Sequence, residues 1–265
     1  LKKDKNFDIL LGNAGAIHIL LNLYEMTKSD EYLKMAEDAA HYILDNAVKT
    51  DVGIGWKSNI TINPLAGFSH GVAGIASALL RLSSLIKSEK ILKGAIEALK
   101  YEKSLFLPQY GNWCDMRELQ NATEEQIGRG PVAWCHGASG ILLSRMMMCK
   151  YTACELRDDF ESEMDIAAET TANCGFNGTH SLCHGDVGNL EILYDYANLK
   201  GKKELYDNCR MYSQYLAQMF IEGKWNCGLP YGQETPTFML GLAGMGYSML
   251  RYYQPDLPSV ISLRI

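Results

Sequence analysis

The chain has 265 residues, of which 47% are apolar and 21% charged, and its formal net charge is −6. This length suffices for a sizeable core, the acidic balance without a basic stripe argues against a nucleic-acid partner, and no apolar run predicts a membrane span. We expect no secretory leader within this sequence. The first residue is Leu1 rather than Met, so we expect the sequence to be part of a longer chain.

Five segments in chain order share a Gly-x-x-Gly step followed by a nearly continuous apolar run. They read LLGNAGAIHILLNLY from Leu10, SHGVAGIASALLRL from Ser69, CHGASGILLSRMMM from Cys135, CHGDVGNLEILYDY from Cys183 and MLGLAGMGYSMLRYY from Met239. Such runs predict buried helices. Amphipathic stretches between them, for example from Asp30 and from Lys202, predict outer helices, and no stretch shows sustained strand alternation. Stacked helix pairs of this kind form an open solenoid or a closed α/α toroid.

The repeated glycines have a mechanical interpretation. Two small residues at the start of a crowded inner helix let neighbouring backbones approach closely, and the centre of a toroid is where that need is greatest. The leading glycines are Gly12, Gly71, Gly137, Gly185 and Gly241. The sequence therefore predicts an all-α fold of inner and outer helices.

The two residues before each leading glycine are expected to gather at one end of the barrel, because equivalent positions of a repeat occupy equivalent places. These slots hold Leu10-Leu11, Ser69-His70, Cys135-His136, Cys183-His184 and Met239-Leu240. Thiolates and imidazole arriving from separate helix starts are the donors that Zn²⁺ prefers. With three protein ligands one coordination position stays open, as a catalytic zinc requires. The alternative is buried, inert cysteines beside histidines that cap helices.

Cysteine usage bears on the compartment. The chain has eight cysteines, an even number that is compatible with disulfides. Nothing else indicates secretion, and a chain of this size does not need covalent staples. We favour reduced thiols, a subset of which bind a metal, and a cytoplasmic location.

Several motifs together resemble a known family. The segments FSHGVAGI, WCHGASGI and LCHGDVGNLEIL, with NWCDMR at 112–117 and the closing TFMLGLAGMGYSMLRYYQPDLPSV, resemble the lanthionine cyclases. They are most similar to the C-terminal cyclase domain of class II (LanM) lanthipeptide synthetases. The resemblance implies one LanC-like domain over residues 1–265, with no second domain, and a toroid of seven inner and seven outer helices. Five inner starts are visible, so the first repeats would lie upstream of Leu1 or be absent.

The resemblance also implies roles for individual residues. The zinc ligands would be Cys135, Cys183 and His184, the active-site histidine would be His70, and Asp8 matches an acidic residue that could orient an imidazole or move a proton.

Four further residues are candidates for supporting roles. His136 has no ligand role in the family and is expected behind the ligands. Free-standing cyclases carry an arginine where Pro131 stands, so Arg129, two residues earlier, is a candidate for that role. Trp134 could wall the pocket or belong to the core. His180 could support the metal site, although we do not favour that interpretation.

The reaction implied by the resemblance is zinc-dependent ring formation. A peptide cysteine thiolate adds to dehydroalanine or dehydrobutyrine of the same dehydrated lanthipeptide precursor, and a dehydratase domain would precede the cyclase. Three alternatives stay open. A noncatalytic zinc-containing LanC-like module would bind thiols or peptides, and a LanC-like enzyme could instead add glutathione. Protein prenyltransferases also combine helical toroids with thiol-activating zinc, but their ligands do not lie in two Cys-His-Gly repeats.

Overall fold

Buried and half-exposed helices alternate along the chain. The structure is a computed structural model and describes residues 3–57, 61, 63–117, 123–152 and 154–263. Its helices are α1 (Asn13–Thr27), α2 (Asp30–Asp45), α3 (Val72–Ile86), α4 (Glu89–Ser104), α5 (Glu124–Gly128), α6 (Ala138–Met148), α7 (Cys154–Cys174), α8 (Asp186–Lys200), α9 (Lys203–Ile221) and α10 (Leu242–Tyr253), with 3₁₀ turns at Cys149–Tyr151 and Pro230–Gly232.

Two small antiparallel strand pairs lie in the connections. Strand β1 (Val48–Thr50) pairs with β2 (Gly53–Gly55), and β3 (Phe106–Leu107) pairs with β4 (Asn112–Trp113). Within the described ranges, no helix combines the length and the apolarity that crossing a bilayer demands.

Helices α1, α3, α6, α8 and α10 form the inner layer, and each begins directly after one of the leading glycines. They pack on one another in chain order, and α2, α4, α7 and α9 pack on the inner helices that precede them. Helix α6 is buried at every position, whereas α2 buries only a stripe of small and aliphatic residues. The predicted all-α arrangement of inner and outer helices is confirmed.

The second glycine of each Gly-x-x-Gly step touches backbone. A Cβ on any of them would stand between 1.8 and 2.4 Å from the carbonyl oxygen of the residue six positions earlier, a separation that real side chains do not reach. These glycines are Gly15, Gly74, Gly140, Gly188 and Gly244. The predicted close approach therefore exists, but the approaching backbone is the loop of the same repeat rather than a neighbouring repeat.

A line of backbone hydrogen bonds joins the five repeats just before their inner helices. Each residue's N–H donates to the next residue's carbonyl oxygen, from Ile9 to Ser69 (3.0 Å), Cys135 (3.1 Å), Cys183 (3.2 Å) and Met239 (2.9 Å). We call this line the backbone ladder. It brings the predicted slots to one end of the inner layer.

The first repeat departs from the predicted register by one residue. The ladder uses Ile9, three residues before Gly12, whereas the other repeats use the residue two positions before their glycine. The carboxylate of Asp8 accepts a hydrogen bond from the backbone N–H of Leu11 at 2.7 Å, and this local turn takes up the extra residue.

The C-terminal segment reaches back to earlier repeats. The indole of Trp134 donates to the carbonyl oxygen of Ile261 (3.0 Å), and the Asn22 amide donates to that of Leu263 (2.8 Å). The hydroxyl of Ser259 donates to the buried carboxylate of Glu191 in α8 (2.7 Å). These contacts tie the last residues to the inner layer at both α1 and α8.

Candidate active site at the inner-helix entrances

A cavity of about 180 Å³ opens beside the backbone ladder. It is lined by Leu65, Ser69, His70, Gly71, Arg117, Cys135, His136, Cys183 and His184. Four of the five predicted site residues are among them. The fifth, Asp8, lies fully buried behind His70.

Asp8 and His70 form a fixed pair on one side of the cavity. Asp8 Oδ2 lies 2.7 Å from His70 Nδ1, and the other carboxylate oxygen is held by the Leu11 N–H. Because a carboxylate only accepts, the proton of the neutral ring is on Nδ1. This leaves Nε2 as the basic nitrogen, so His70 can accept or deliver a proton there.

Cys135 and Cys183 line the same cavity, and together with His184 they form what we call its sulfur side. Hydrogen bonding with the Cys183 thiol lowers the pKa of Cys135, against the opposing effect of burial. The nearby Arg117 and His70 lower it further. The same hydrogen bond, together with burial, raises the pKa of Cys183. The pair is therefore arranged to lose its first proton from Cys135.

His184 completes this side, and its ring is oriented by a main-chain group. Its Nε2 donates to the carbonyl oxygen of Gly228 at 3.0 Å, which leaves Nδ1 with the free lone pair. A metal-binding histidine almost always donates the N–H of its second ring nitrogen to a carbonyl or carboxylate in this manner.

The donor set of this side fits zinc. Two thiols and an imidazole oriented through its second nitrogen are ligands that Zn²⁺ takes. Across the described residues, no group of three or more His, Cys, Asp or Glu side chains is placed as a metal-holding cluster. The ligand set Cys135, Cys183 and His184 therefore stays a prediction, supported by donor chemistry and by the shared cavity.

His70, His136 and His184 fill the same slot in three successive repeats but have different surroundings. His136 is 2% exposed, and burial lowers its pKa to about 4. The preceding loop also differs in this repeat. Gly137 has φ +83°, a backbone conformation that favours glycine, whereas the leading glycines of the other repeats have φ between −127° and −139°. His136 is thus held neutral against the cavity wall.

The cation of the cavity is Arg117, which no sequence argument singled out by itself. Its guanidinium donates to Asp115 through Nε (2.9 Å) and Nη2 (2.6 Å). Although burial opposes the effect, these hydrogen bonds lower the pKa of Asp115. Arg129 does not line the cavity; it is exposed and pairs with Glu125 at 2.9 Å. The only sequence signal for Arg117 was its place in NWCDMR.

Two other sequence candidates have structural roles. Trp134 does not line the cavity; it is 2% exposed and packs edge-on against Phe68, which places it in the core. His180 lies behind the site. Its ring Nδ1 accepts a hydrogen bond from the backbone N–H of Asn226 (2.9 Å), and its backbone N–H donates to the Asn226 carbonyl (2.8 Å).

Comparison with known proteins identifies related chains. A family model described as lanthionine synthetase C-like protein matches residues 1–263. The lacticin 481/lactococcin biosynthesis protein LcnDR2 of Lactococcus lactis subsp. lactis is 26% identical over 92% of this chain and 25% of its own length. The chain thus spans about a quarter of that relative.

Solved structures share the fold. Nisin cyclase aligns with a TM-score of 0.74 at 17% identity, covering 99% of this chain and 67% of nisin cyclase. A sugar epimerase from a ruminal bacterium aligns at 0.55 and 13% identity, covering 74% and 56%. The helical architecture is thus shared with a protein of different chemistry, so function has to be argued from the site.

Proposed function

Because the chain belongs to the lanthionine synthetase C-like family, we propose that it closes thioether rings in dehydrated lanthipeptide precursors. The substrate cysteine adds to a dehydroalanine or dehydrobutyrine of the same peptide. The observation that carries the proposal is the cavity itself, in which a carboxylate-held imidazole faces two thiols and a second, carbonyl-held imidazole.

Cys135, Cys183 and His184 would hold zinc. When bound, the ion supplies a means to deprotonate a substrate thiol at neutral pH, where a free cysteine is mostly protonated. The donor set fits this role because two thiolates and one imidazole leave a fourth position open.

The residues on the other side of the cavity handle the proton. As the new C–S bond forms at the β-carbon, the π electrons of the alkene move toward the carbonyl oxygen and give an enolate. His70 takes up on Nε2 the proton that the substrate thiol releases and delivers it to the α-carbon, so that the protons balance. Asp8 stabilises the imidazolium and holds the ring in position.

Arg117 contributes positive charge where negative charge develops. Its side chain lines the same cavity as His70 and both thiols, and Asp115 fixes the plane of its guanidinium. A preorganised cation stabilises the enolate oxygen more effectively in a partly enclosed site than in water.

The peptide has room to approach. His184 also lines an open depression of about 620 Å³ with Thr179 and the segment 226–232, so a chain could run past this side of the cavity. We further propose that a dehydratase domain supplies the dehydrated peptide in the full-length protein, since the chain spans only a quarter of LcnDR2. A cytoplasmic location fits the seven described free cysteines.

Ring closure and zinc content test the proposal together. Ring closure leaves peptide mass unchanged, so thiols are alkylated after incubation of a dehydrated precursor with the protein and counted by mass spectrometry. We expect one zinc per chain and a time-dependent loss of alkylatable thiols. Zinc binding without thiol loss would favour the noncatalytic module, an adduct of glutathione mass the glutathione-adding enzyme, and transfer from a prenyl diphosphate the prenyltransferase. Each of these outcomes would overturn ring closure as the function.

A further inference from the structure

The segment Asn226–Gly228, between α9 and α10, contacts the predicted ligand His184 through its main chain. Gly228 receives the His184 Nε2–H on its carbonyl oxygen at 3.0 Å. The two residues are 44 positions apart in the chain, so this contact depends on how the intervening helices α8 and α9 return the chain to the site.

Gly228 has no room for a side chain. A Cβ there would stand 3.0 Å from His184 Nε2, 2.7 Å from Ser181 Oγ and 2.8 Å from Ser181 Cβ. Contacts this short force the neighbours to shift. Ser181 cannot yield freely, because it is fully buried and its hydroxyl accepts the His184 backbone N–H at 3.4 Å.

The segment is fixed on both of its sides. On one side, His180 Nδ1 accepts the Asn226 N–H (2.9 Å), and the His180 N–H donates to the Asn226 carbonyl (2.8 Å). On the other, the Gly228 N–H donates to the carbonyl of Leu240 at 2.7 Å. The Gly228 carbonyl therefore has a defined position before any ligand binds.

We propose that Asn226–Gly228 is a positioning segment that sets the tautomer and the orientation of His184, with Gly228 and His180 as its positioning residues. The Gly228 carbonyl keeps the ring proton on Nε2, so that Nδ1 is presented to zinc. His180 acts on His184 indirectly, because its hydrogen bonds fix Asn226 and with it the segment that carries the Gly228 carbonyl. The inference rests on the proposed function, because it assigns a purpose to His184 as a metal ligand.

Zinc affinity tests the segment by two routes. Gly228→Ala should weaken zinc binding about 10- to 100-fold, the usual effect of losing a partner that orients a ligand, and should change the visible spectrum of the Co²⁺-substituted protein. The matched control is Gly246→Ala, since a Cβ at Gly246 in α10 meets no atom within 4 Å. This control should bind zinc as the unaltered chain does.

His180 provides a second route if Gly228→Ala does not fold. His180→Ala removes the acceptor for the Asn226 N–H and should weaken zinc binding. His180→Asn places an amide oxygen where Nδ1 was and should restore most of the affinity. Both variants lose the ring contact with Phe220, so that contact does not account for a difference between them. Equal affinity in the two variants would overturn the role of His180.

A zinc-free measurement separates this inference from the proposed function. Long-range ¹H–¹⁵N spectra of the metal-free protein should show the His184 proton on Nε2, and less so in Gly228→Ala. An unchanged tautomer and unchanged zinc affinity in Gly228→Ala overturn the positioning segment alone. An unaltered chain that takes up no zinc overturns the metal site of the proposed function, whatever the tautomer.

Discussion

The two sides of the cavity differ in how far contacts within the chain fix their functional side chains. On one side Asp8 and His70 are already joined at 2.7 Å, with the carboxylate also held by a backbone N–H. On the other, Cys135 and Cys183 shift each other's pKa in opposite directions, and the ring of His184 is oriented by the carbonyl of Gly228. The side proposed to handle the proton is thus already held by contacts within the chain, whereas the sulfur side would be completed by the proposed zinc ion.

The largest expected effect comes from the sulfur side. Cys183→Ala should lose stoichiometric zinc and reduce ring closure to the uncatalysed rate, because two ligands do not hold zinc tightly. Metal analysis and thiol alkylation measure both. Cys174→Ala, at the exposed end of α7, is the control and should keep both properties. Full zinc content in Cys183→Ala would show that the ligands are misassigned.

A substitution at His70, on the other side of the cavity, should lower the rate of ring closure without removing zinc. His70→Ala should keep its zinc and lower the ring-closure rate about 10²- to 10⁴-fold, the usual contribution of a general acid. Single-turnover kinetics on a zinc-loaded sample measures the effect, with His41→Ala at a half-buried position of α2, outside the cavity, as the control. A normal rate in His70→Ala would remove His70 from the mechanism.

Asp8→Asn should have a smaller effect than His70→Ala. The amide keeps the shape of the side chain but loses the charge that stabilises the imidazolium, and a misplaced ring costs up to about 10²-fold. The same single-turnover assay applies. If Asp8→Asn were as slow as His70→Ala, the carboxylate itself would have to take part in proton transfer.

The smallest expected effect tests the cavity cation. Arg117→Gln should slow ring closure about tenfold, because a hydrogen bond to a charged group contributes about 1.5 kcal/mol at the low end of its usual range. Arg129→Gln removes the same charge from an exposed position just after α5 and should leave the rate unchanged. Equal rates for the two variants would exclude a specific role for Arg117.

Much of the fold was predictable because its signal is local. The Gly-x-x-Gly steps marked the start of every inner helix, and the reason is a contact six residues back along the chain. Asp8, His70, Cys135, Cys183 and His184 were likewise predicted from the repeat and the family motifs, and the structure brings them together.

What the sequence did not predict depends on distant contacts. The sequence did not decide whether Trp134 lines the pocket or belongs to the core, because its partner Ile261 lies 127 residues away. Arg129 was named because it precedes Trp134-Cys135 by a few residues, as an arginine does in free-standing cyclases, yet it lies exposed and pairs with Glu125. Gly228 carried only a weak local signal in CGLPYG, since its role depends on His184.

The backbone ladder has a consequence for how such a site can change. The leading glycines are spaced between 48 and 66 residues apart, yet the ladder hydrogen bonds stay between 2.9 and 3.2 Å. Differences in length are absorbed in the connections, as the insertion of α5 shows. The positions of the site residues therefore do not depend on the lengths of the connections between repeats. A segment could be lengthened or replaced between two repeats, to accommodate a different peptide, while sulfur and imidazole keep their mutual positions.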